Sequence, residues 1–342
     1  MHRLALLLAL VVVACRSGQP GAEDSAGRST LRIGYLSNLT HAPALAGLQG
    51  GLFQEAVGPQ VTLKALAFPA GPQLIEGLFA GELDVAYVGP NPAINGFQRS
   101  GGRALRVIAG CTSGGASLVV RPDVAGPAAL AGSTLSSPAL GNTQDVALRI
   151  WLNDQGLKTV EQGGTVRIRP APPADILTLF VRGDLAGAWV PEPWASRLVV
   201  EGGAKVLVDE RSRWPGGIFP TTVVIASQEI LKARPELVRR FVEGHGRSIA
   251  FLAEQPAKAR ELAGQRLYEE LKVKLAPAVV ARAYEQLSFT LDPMETQLHR
   301  VAEEAHSLGF IKSKDIAGLV DRQFLPGAAA GAGGSPPAPR TP

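Results

Sequence analysis

Short apolar runs rich in Val, Ile and Leu alternate along this chain with stretches whose apolar residues recur at helical spacing. The runs predict buried strands at Leu31–Leu36, Val61–Phe68, Val85–Val88, Leu105–Ala109, Ser117–Arg121, Thr134–Ser136, Val166–Pro170, Gly187–Val190, Lys205–Val208 and Thr222–Ala226. Helical spacing between them predicts Ala42–Gly50, Gly71–Ala80, Pro92–Arg99, Thr143–Gln155 and Ala174–Arg182. This alternation favours an α/β architecture with largely parallel sheets. After Ser227 the pattern changes. Gln228–Ala233, Pro235–Glu254, Ala257–Leu271, Pro277–Ser288 and Pro293–Leu308 read as successive helices with no strand between them, a helical C-terminal third.

One unit organises the rest. In Phe68–Pro92, FPAGPQLIEGLFAGELDVAYVGPNP, a Gly/Pro turn opens an amphipathic helix with Leu74, Ile75, Leu78 and Phe79 on one face. Gly81 stops that helix, Val85–Val88 forms a buried strand, and Gly89–Pro92 breaks it. A weaker version recurs in Pro172–Trp194, PPADILTLFVRGDLAGAWVPEPW, where Gly81, Leu83, Ala86 and Val88 meet Gly183, Leu185, Ala188 and Val190. The echo suggests two lobes of like construction. Residues 30–117 plus 222–326 are expected to form lobe I and residues 118–221 lobe II, with the strands at 117–121 and 222–226 as the crossovers.

The two ends read differently. Residues 1–15, MHRLALLLALVVVAC, have a short basic start, ten apolar residues from Leu4 to Val13, and a terminal Cys15. Ten residues rise about 15 Å as a helix, half of a roughly 30 Å hydrocarbon core, so the stretch is a leader and not a span. Residues 16–29 are expected to be a flexible tether and 327–342, GAAAGAGGSPPAPRTP, a disordered tail.

Composition narrows the function. Thirty-four basic residues stand against thirty acidic ones, a net charge of +4, too even to argue for a nucleic-acid partner. With Cys15 assigned to the leader, Cys111 is the one remaining thiol, which leaves no internal disulfide and no cysteine-based zinc site. The five histidines are scattered, and no nucleophile elbow, zincin, Walker or EF-hand pattern is present. We therefore expect no catalytic residues, no metal and no cofactor.

Polar loops, each after a strand and ahead of a helix, are where the chemistry concentrates, because ligands in open α/β sheets bind outside the carboxyl ends of strands. Asn38, Thr40 and His41 follow the first strand; Gly89 and Asn91 follow the third. Thr112, Ser113 and Gly114 lie in a Gly-rich stretch read as a loop over Cys111–Ser117. Gly141, Asn142 and Thr143 open a helix, and Trp189 and Glu192 sit in a Pro-bearing turn.

The leader ending in Val12-Val13-Ala14-Cys15 resembles a bacterial lipobox. With LRIGYLSNLTHAPAL, FPAGPQLIEGLFAGELDVAYVGPNPAI, GNTQDVALR and GAWVPEPWA in that order, the chain resembles solute-binding proteins of the nitrate/taurine/aliphatic-sulfonate class of ABC importers, the sulfonate branch above all. The resemblance implies a two-lobed periplasmic-binding-protein fold of type II, closing like a hinge over a small polar or anionic ligand. It implies a permease as partner, a lipid on Cys15 holding a monomer at the membrane in the periplasm or at the cell surface, and the thirteen loop residues just named as cleft lining. None of those loops carries Lys or Arg. Glu192 complicates an anionic ligand, since two like charges 4 Å apart repel by about 4 kcal/mol at an effective dielectric of 20. Either Glu192 turns away, or the ligand has a cationic or hydrogen-donating end. Two alternatives use the same scaffold: an enzyme, either of the desulfurase type, for which Cys111 is the thiol candidate, or of the pyrimidine-precursor type, whose Cys-rich motif the lone Cys111 does not match, and a ligand sensor without a transporter.

Overall fold

The computed structural model describes residues 29–328. Cys15 with the rest of the leader, the tether through residue 28 and the tail from residue 329 lie outside the described residues. Ser29, expected in the tether, already belongs to the first strand.

A six-stranded sheet is built from β1 (Ser29–Leu36), β2 (Val61–Phe68), β3 (Val85–Val88), β4 (Leu105–Gly114), β10 (Pro220–Ser227) and β11 (Leu287–Phe289). Its order is β11-β4-β10-β3-β1-β2. A five-stranded sheet is built from β5 (Ala116–Val120), β6 (Thr134–Ser136), β7 (Arg167–Ile168), β8 (Gly187–Pro191) and β9 (Lys205–Asp209), in the order β7-β6-β8-β5-β9. β1 pairs in parallel with β2 and β3, and β6 with β7 and β8. β4 pairs antiparallel with both β10 and β11, so the first sheet is mostly antiparallel and not, as expected, largely parallel; β10 runs antiparallel between β3 and β4, and β5 between β8 and β9. Those two are the strands beside which the chain changes sheets, so this is the two-lobed periplasmic-binding-protein fold with two crossovers.

Burial follows from position in the sheets. The central β3, β5 and β8 are buried at every residue and are apolar but for Ser117, while edge strand β2 buries only Val61 fully. On one face of the first sheet pack α1 (Ala42–Gln49), α2 (Leu52–Val57), α9 (Pro235–Glu254) and α10 (Pro256–Leu271). There Phe53 stacks on Phe241 at 5.1 Å and His245 bridges Tyr87 Oη (3.1 Å) and the Gly110 carbonyl (2.8 Å). The opposite face takes α3 (Gly71–Phe79) and α4 (Pro90–Arg99), and its apolar cluster continues into the second sheet through Leu118, Trp151 and Trp189. Helix α5 (Thr143–Asp154) joins that cluster; α6 (Pro173–Val181) and α7 (Trp194–Val200) cover the far side of the second sheet. The C-terminal third supplies α8 (Gln228–Ala233), α11 (Pro277–Glu285) and α12 (Glu295–Ser307).

Three further expectations are corrected. The C-terminal third holds a strand after all: β11 pairs with Thr112–Gly114 of β4 where the helix Pro277–Ser288 was expected to end. Three residues are too few to show a period. Cys111–Gly114 is strand and not a loop, because β4 keeps partners on both sides, β10 and β11, up to the crossover. The chain turns at Gly114-Gly115, both at positive φ (81° and 75°), where a Cβ would lie 2.5 Å from the Gln286 carbonyl or 2.2 Å from Leu287 Cδ2. The short helices α2 and α7 were not expected either; each begins beside a Gly or Pro that read as a break.

Candidate functional site

The loop after β1 turns through Asn38–His41 straight into α1, and its neighbours across the sheet do the same. Gly71 opens α3, Gly89 precedes α4, and in the second sheet Asn142 precedes α5. The four helix N-termini converge on one small cavity of about 30 Å³ between the sheets. Leu36, Asn38, Thr40, His41, Gly71, Gly89, Pro92 and Thr221 line it from the first lobe; Asn142, Thr143, Gln144 and Pro191 line it from the second. No Lys, Arg, Asp or Glu borders it.

The polar groups there are mostly donors. The Leu36 N–H donates to His41 Nδ1 at 3.3 Å, which leaves the ring proton on Nε2. Full burial pulls the His41 pKa down to about 3, so the ring is a neutral donor at physiological pH. Thr143 Oγ1 is enclosed without a hydrogen-bond partner. Asn142 Oδ1 caps α5 by accepting from the Asp145 N–H at 2.9 Å, and the Asp145 carboxylate is turned to Ser137 Oγ, the Gly141 N–H and Arg149 Nε (2.8, 3.0 and 2.9 Å). The acid in the first turn of α5 is therefore balanced away from the cavity.

The lobes touch across it. The Leu39 N–H donates to the Glu192 carbonyl at 3.1 Å, and Trp194 Nε1 donates to Asn38 Oδ1 at 3.0 Å. Gly89 is so close to the second lobe that a Cβ there would lie 2.5 Å from Thr143 Oγ1. This is a shut cleft, with space for a water or a small ion but a tenth of the roughly 300 Å³ typical of the smallest organic-ligand pockets.

Of the residues singled out in the sequence, Asn38, Thr40, His41, Gly89, Asn142 and Thr143 meet at this cavity. Asn91 and Gly141 border a second chamber of about 220 Å³ that shares Pro92 with the first. The others do not line either. Thr112 Oγ1 donates to the Thr40 carbonyl at 2.6 Å, Ser113 Oγ accepts from the Phe219 N–H at 3.2 Å, and Gly114 makes the crossover turn. Trp189 is fully buried against Trp151 and donates to Glu210 at 2.7 Å. Glu192 contributes its backbone to closure, while its carboxylate accepts from the Ser196 N–H in the first turn of α7 at 3.1 Å. Burial raises the Glu192 pKa to about 7, with Ser196 and Arg282 acting the other way. Of the two options left open for Glu192, the side chain takes the first: it turns from the cavity. Pro92, Gln144 and Pro191 lie within the polar loops read from the sequence though none was picked as a site residue; Leu36, Gly71 and Thr221 line the cavity from positions the loops did not point to.

The NMT1-like family profile matches residues 24–266 of the chain. A taurine-binding periplasmic protein of Escherichia coli K12 is 25% identical over 189 residues, 55% of this chain and 55% of that protein. The chain thus matches about half the length of that relative. Among solved structures, the alkanesulfonate-binding protein SsuA of Xanthomonas axonopodis pv. citri bound to MOPS superposes with a TM-score of 0.71 at 21% identity, over 88% of this chain and 99% of that one. The periplasmic nitrate-binding protein NrtA of Synechocystis PCC 6803 superposes at 0.70 and 14% identity, over 84% and 83%.

Proposed function

The chain belongs to the NMT1-like family, and from that premise we propose that it is an extracytoplasmic solute-binding protein that captures a small sulfonate- or nitrate-type anion between its lobes for an ABC importer. The observation that carries this reading is the convergence of four helix N-termini and a neutral histidine donor on a cavity free of charged side chains. Each helix terminus adds up to about 2 kcal/mol toward an anion in a partly buried site. Four together reach at most about 8 kcal/mol, the free energy of a micromolar complex. No lysine or arginine is needed. The named relatives are likewise binding proteins for taurine, alkanesulfonates and nitrate. For the lipid on Cys15 the support is the leader pattern alone.

Cys111 argues against the desulfurase alternative. Its thiol is fully buried, 3.4 Å from Thr112 Oγ1, and burial pushes its pKa up to about 12, so almost no thiolate exists to attack a substrate.

The test is a thermal-melt and calorimetric panel of taurine, alkanesulfonates and nitrate on the purified protein. One ligand at a hundred times its Kd should stabilise the fold by about 2.7 kcal/mol and come back chemically unchanged. No shift with any of them, or turnover of one, refutes the reading.

A further inference from the structure

Outside the cavity the lobes meet a second time, where α12 of the C-terminal third packs against α5. Helix α12 is fastened to the first sheet at both ends. Ahead of it, the Gly110 N–H of β4 donates to the Leu291 carbonyl at 2.8 Å. Behind it, Asn95 Nδ2 of α4 donates to the Phe310 carbonyl at 3.1 Å, and the Val107 N–H of β4 to the Leu319 carbonyl at 2.9 Å. It therefore moves with lobe I.

Facing α12 from lobe II are a 3-10 turn, Glu210–Arg213, and the Trp214 that follows it. Arg213 Nη2 donates to Glu304 Oε1 of α12 at 3.3 Å, and the Arg300 guanidinium of α12 lies 4.2 Å from the centre of the Trp214 ring. Both contacts cross from one lobe to the other. Ion pairs bathed in water contribute little, but here the Arg213 and Glu304 side chains are only 8% and 13% exposed and Trp214 is 6% exposed. At such burial the loss of one partner is felt.

Each charge also has partners inside its own lobe. Arg213 is 3.8 Å from Asp154 Oδ2 of α5, donates to the Ala147 carbonyl at 3.5 Å and lies over the Trp189 ring at 5.7 Å. Glu210 belongs to the same set: burial raises its pKa to about 7, and Arg213 opposes the rise. On the other side, Glu304 accepts from Arg300 Nε at 3.2 Å, one turn back on α12. Parting the lobes thus strands neither Arg213 nor Glu304, so this contact can break and re-form.

Resting on ligand capture by lobe closure, we propose that the Arg213–Glu304 pair and the Arg300–Trp214 stack form a reversible clasp that holds the closed form and sets how long the ligand stays bound. It grips the second sheet on the face that α5 covers, opposite the face where Trp194 of α7 donates to Asn38. None of the four residues borders the cavity, so they are positioning groups that act on closure and not on the anion.

Stopped-flow with methanesulfonate, taurine and nitrate tests this, read by tryptophan fluorescence because Trp151, Trp189, Trp194 and Trp214 all lie in lobe II. Glu304→Gln should raise the dissociation rate about tenfold or more and leave the association rate within about twofold. Arg300→Gln should act in the same direction. In a double-mutant cycle, Glu304→Gln should change dissociation little on top of Arg213→Gln. Added salt should speed dissociation from the parent more than from Glu304→Gln, because the pair it screens is missing there. Chemical denaturation without ligand should find Glu304→Gln as stable as the parent, which separates loss of the clasp from damage to the fold. Dissociation unchanged in both Glu304→Gln and Arg300→Gln, or a Glu304→Gln effect undiminished on top of Arg213→Gln, overturns the clasp and leaves anion capture standing. Binding of none of the three anions by the parent overturns both.

Discussion

Gly89→Ala is the sharpest single perturbation of closure. Gly89 has φ −64° and ψ 153°, a conformation any residue adopts, so alanine brings no backbone strain. Its Cβ would lie 2.5 Å from Thr143 Oγ1, 3.6 Å from Thr143 Cβ and 3.7 Å from Pro92 Cδ. The first contact is impossible as it stands; the other two are ordinary. Relief requires the lobes to part by about 0.9 Å or Thr143 to leave its rotamer, and overpacking of this kind costs about 1–3 kcal/mol. That cost falls on the closed form only, so it appears as a five- to 150-fold loss of affinity. An open ligand-free form, which the proposed function requires, would have no clash, and replacing glycine should raise its stability slightly, by about 0.4–1 kcal/mol. Calorimetry gives the affinity and chemical denaturation without ligand gives the stability. In a double-mutant cycle, Thr143→Ala should recover much of the loss in the Gly89→Ala background, since it removes the clashing oxygen. Unchanged affinity in Gly89→Ala, or a ligand-free protein destabilised as much as the complex, would refute closure through this contact.

Further predictions concern single groups. Trp194→Phe removes the donor to Asn38 across the cleft and should weaken binding by about 0.5–1.5 kcal/mol, with an increased ligand off-rate in stopped-flow. For Glu192, burial holds the folded-state pKa at about 7 against an ordinary 4.5, so the folded protein binds this proton more tightly than the unfolded chain. The stability it contributes is complete below about pH 4.5 and is lost as pH rises through 7. Glu192→Gln should therefore be more stable than the parent at pH 8, by on the order of 3 kcal/mol, and equal to it near pH 4; a gain at acid pH instead would contradict the burial argument. Cys111 should resist thiol reagents until the protein unfolds, and Cys111→Ser should bind sulfonates as the parent does. Labelling with a fatty-acid analogue in cells should mark the parent and not Cys15→Ser.

Much of the fold was legible in the chain because its central strands are buried on both faces and so read as unbroken apolar runs, as in Val85–Val88 and Gly187–Val190. The helix-opening loops were legible too, since Gly, Pro and Asn mark where strands end; that is how His41, Gly89 and Thr143 came to be picked from opposite lobes. What was hidden depends on contacts distant in sequence. Glu192 and Trp189 sit in the right turn, but Ser196 and Glu210 take their side chains, and no local pattern announces such partners. The Gly-rich run at Cys111–Ser117 looked like a loop because glycine weakens strand propensity; pairing to β10 and β11 overrides that up to Gly114. Phe310 lies in a segment without periodicity, and only the return of the C-terminal third to α4 brings it to the chamber.

The central claim is that helix N-termini and neutral donors, with no cationic side chain, hold the anion. A crystal structure of the protein soaked with methanesulfonate, with the sulfur located by anomalous scattering, measures this directly. The sulfur should lie between the lobes, with sulfonate oxygens about 3 Å from the amides of Thr143 and Gln144 and from His41 Nε2. A sulfur held by lysine or arginine elsewhere, with the cavity at α5 unoccupied, would contradict the account.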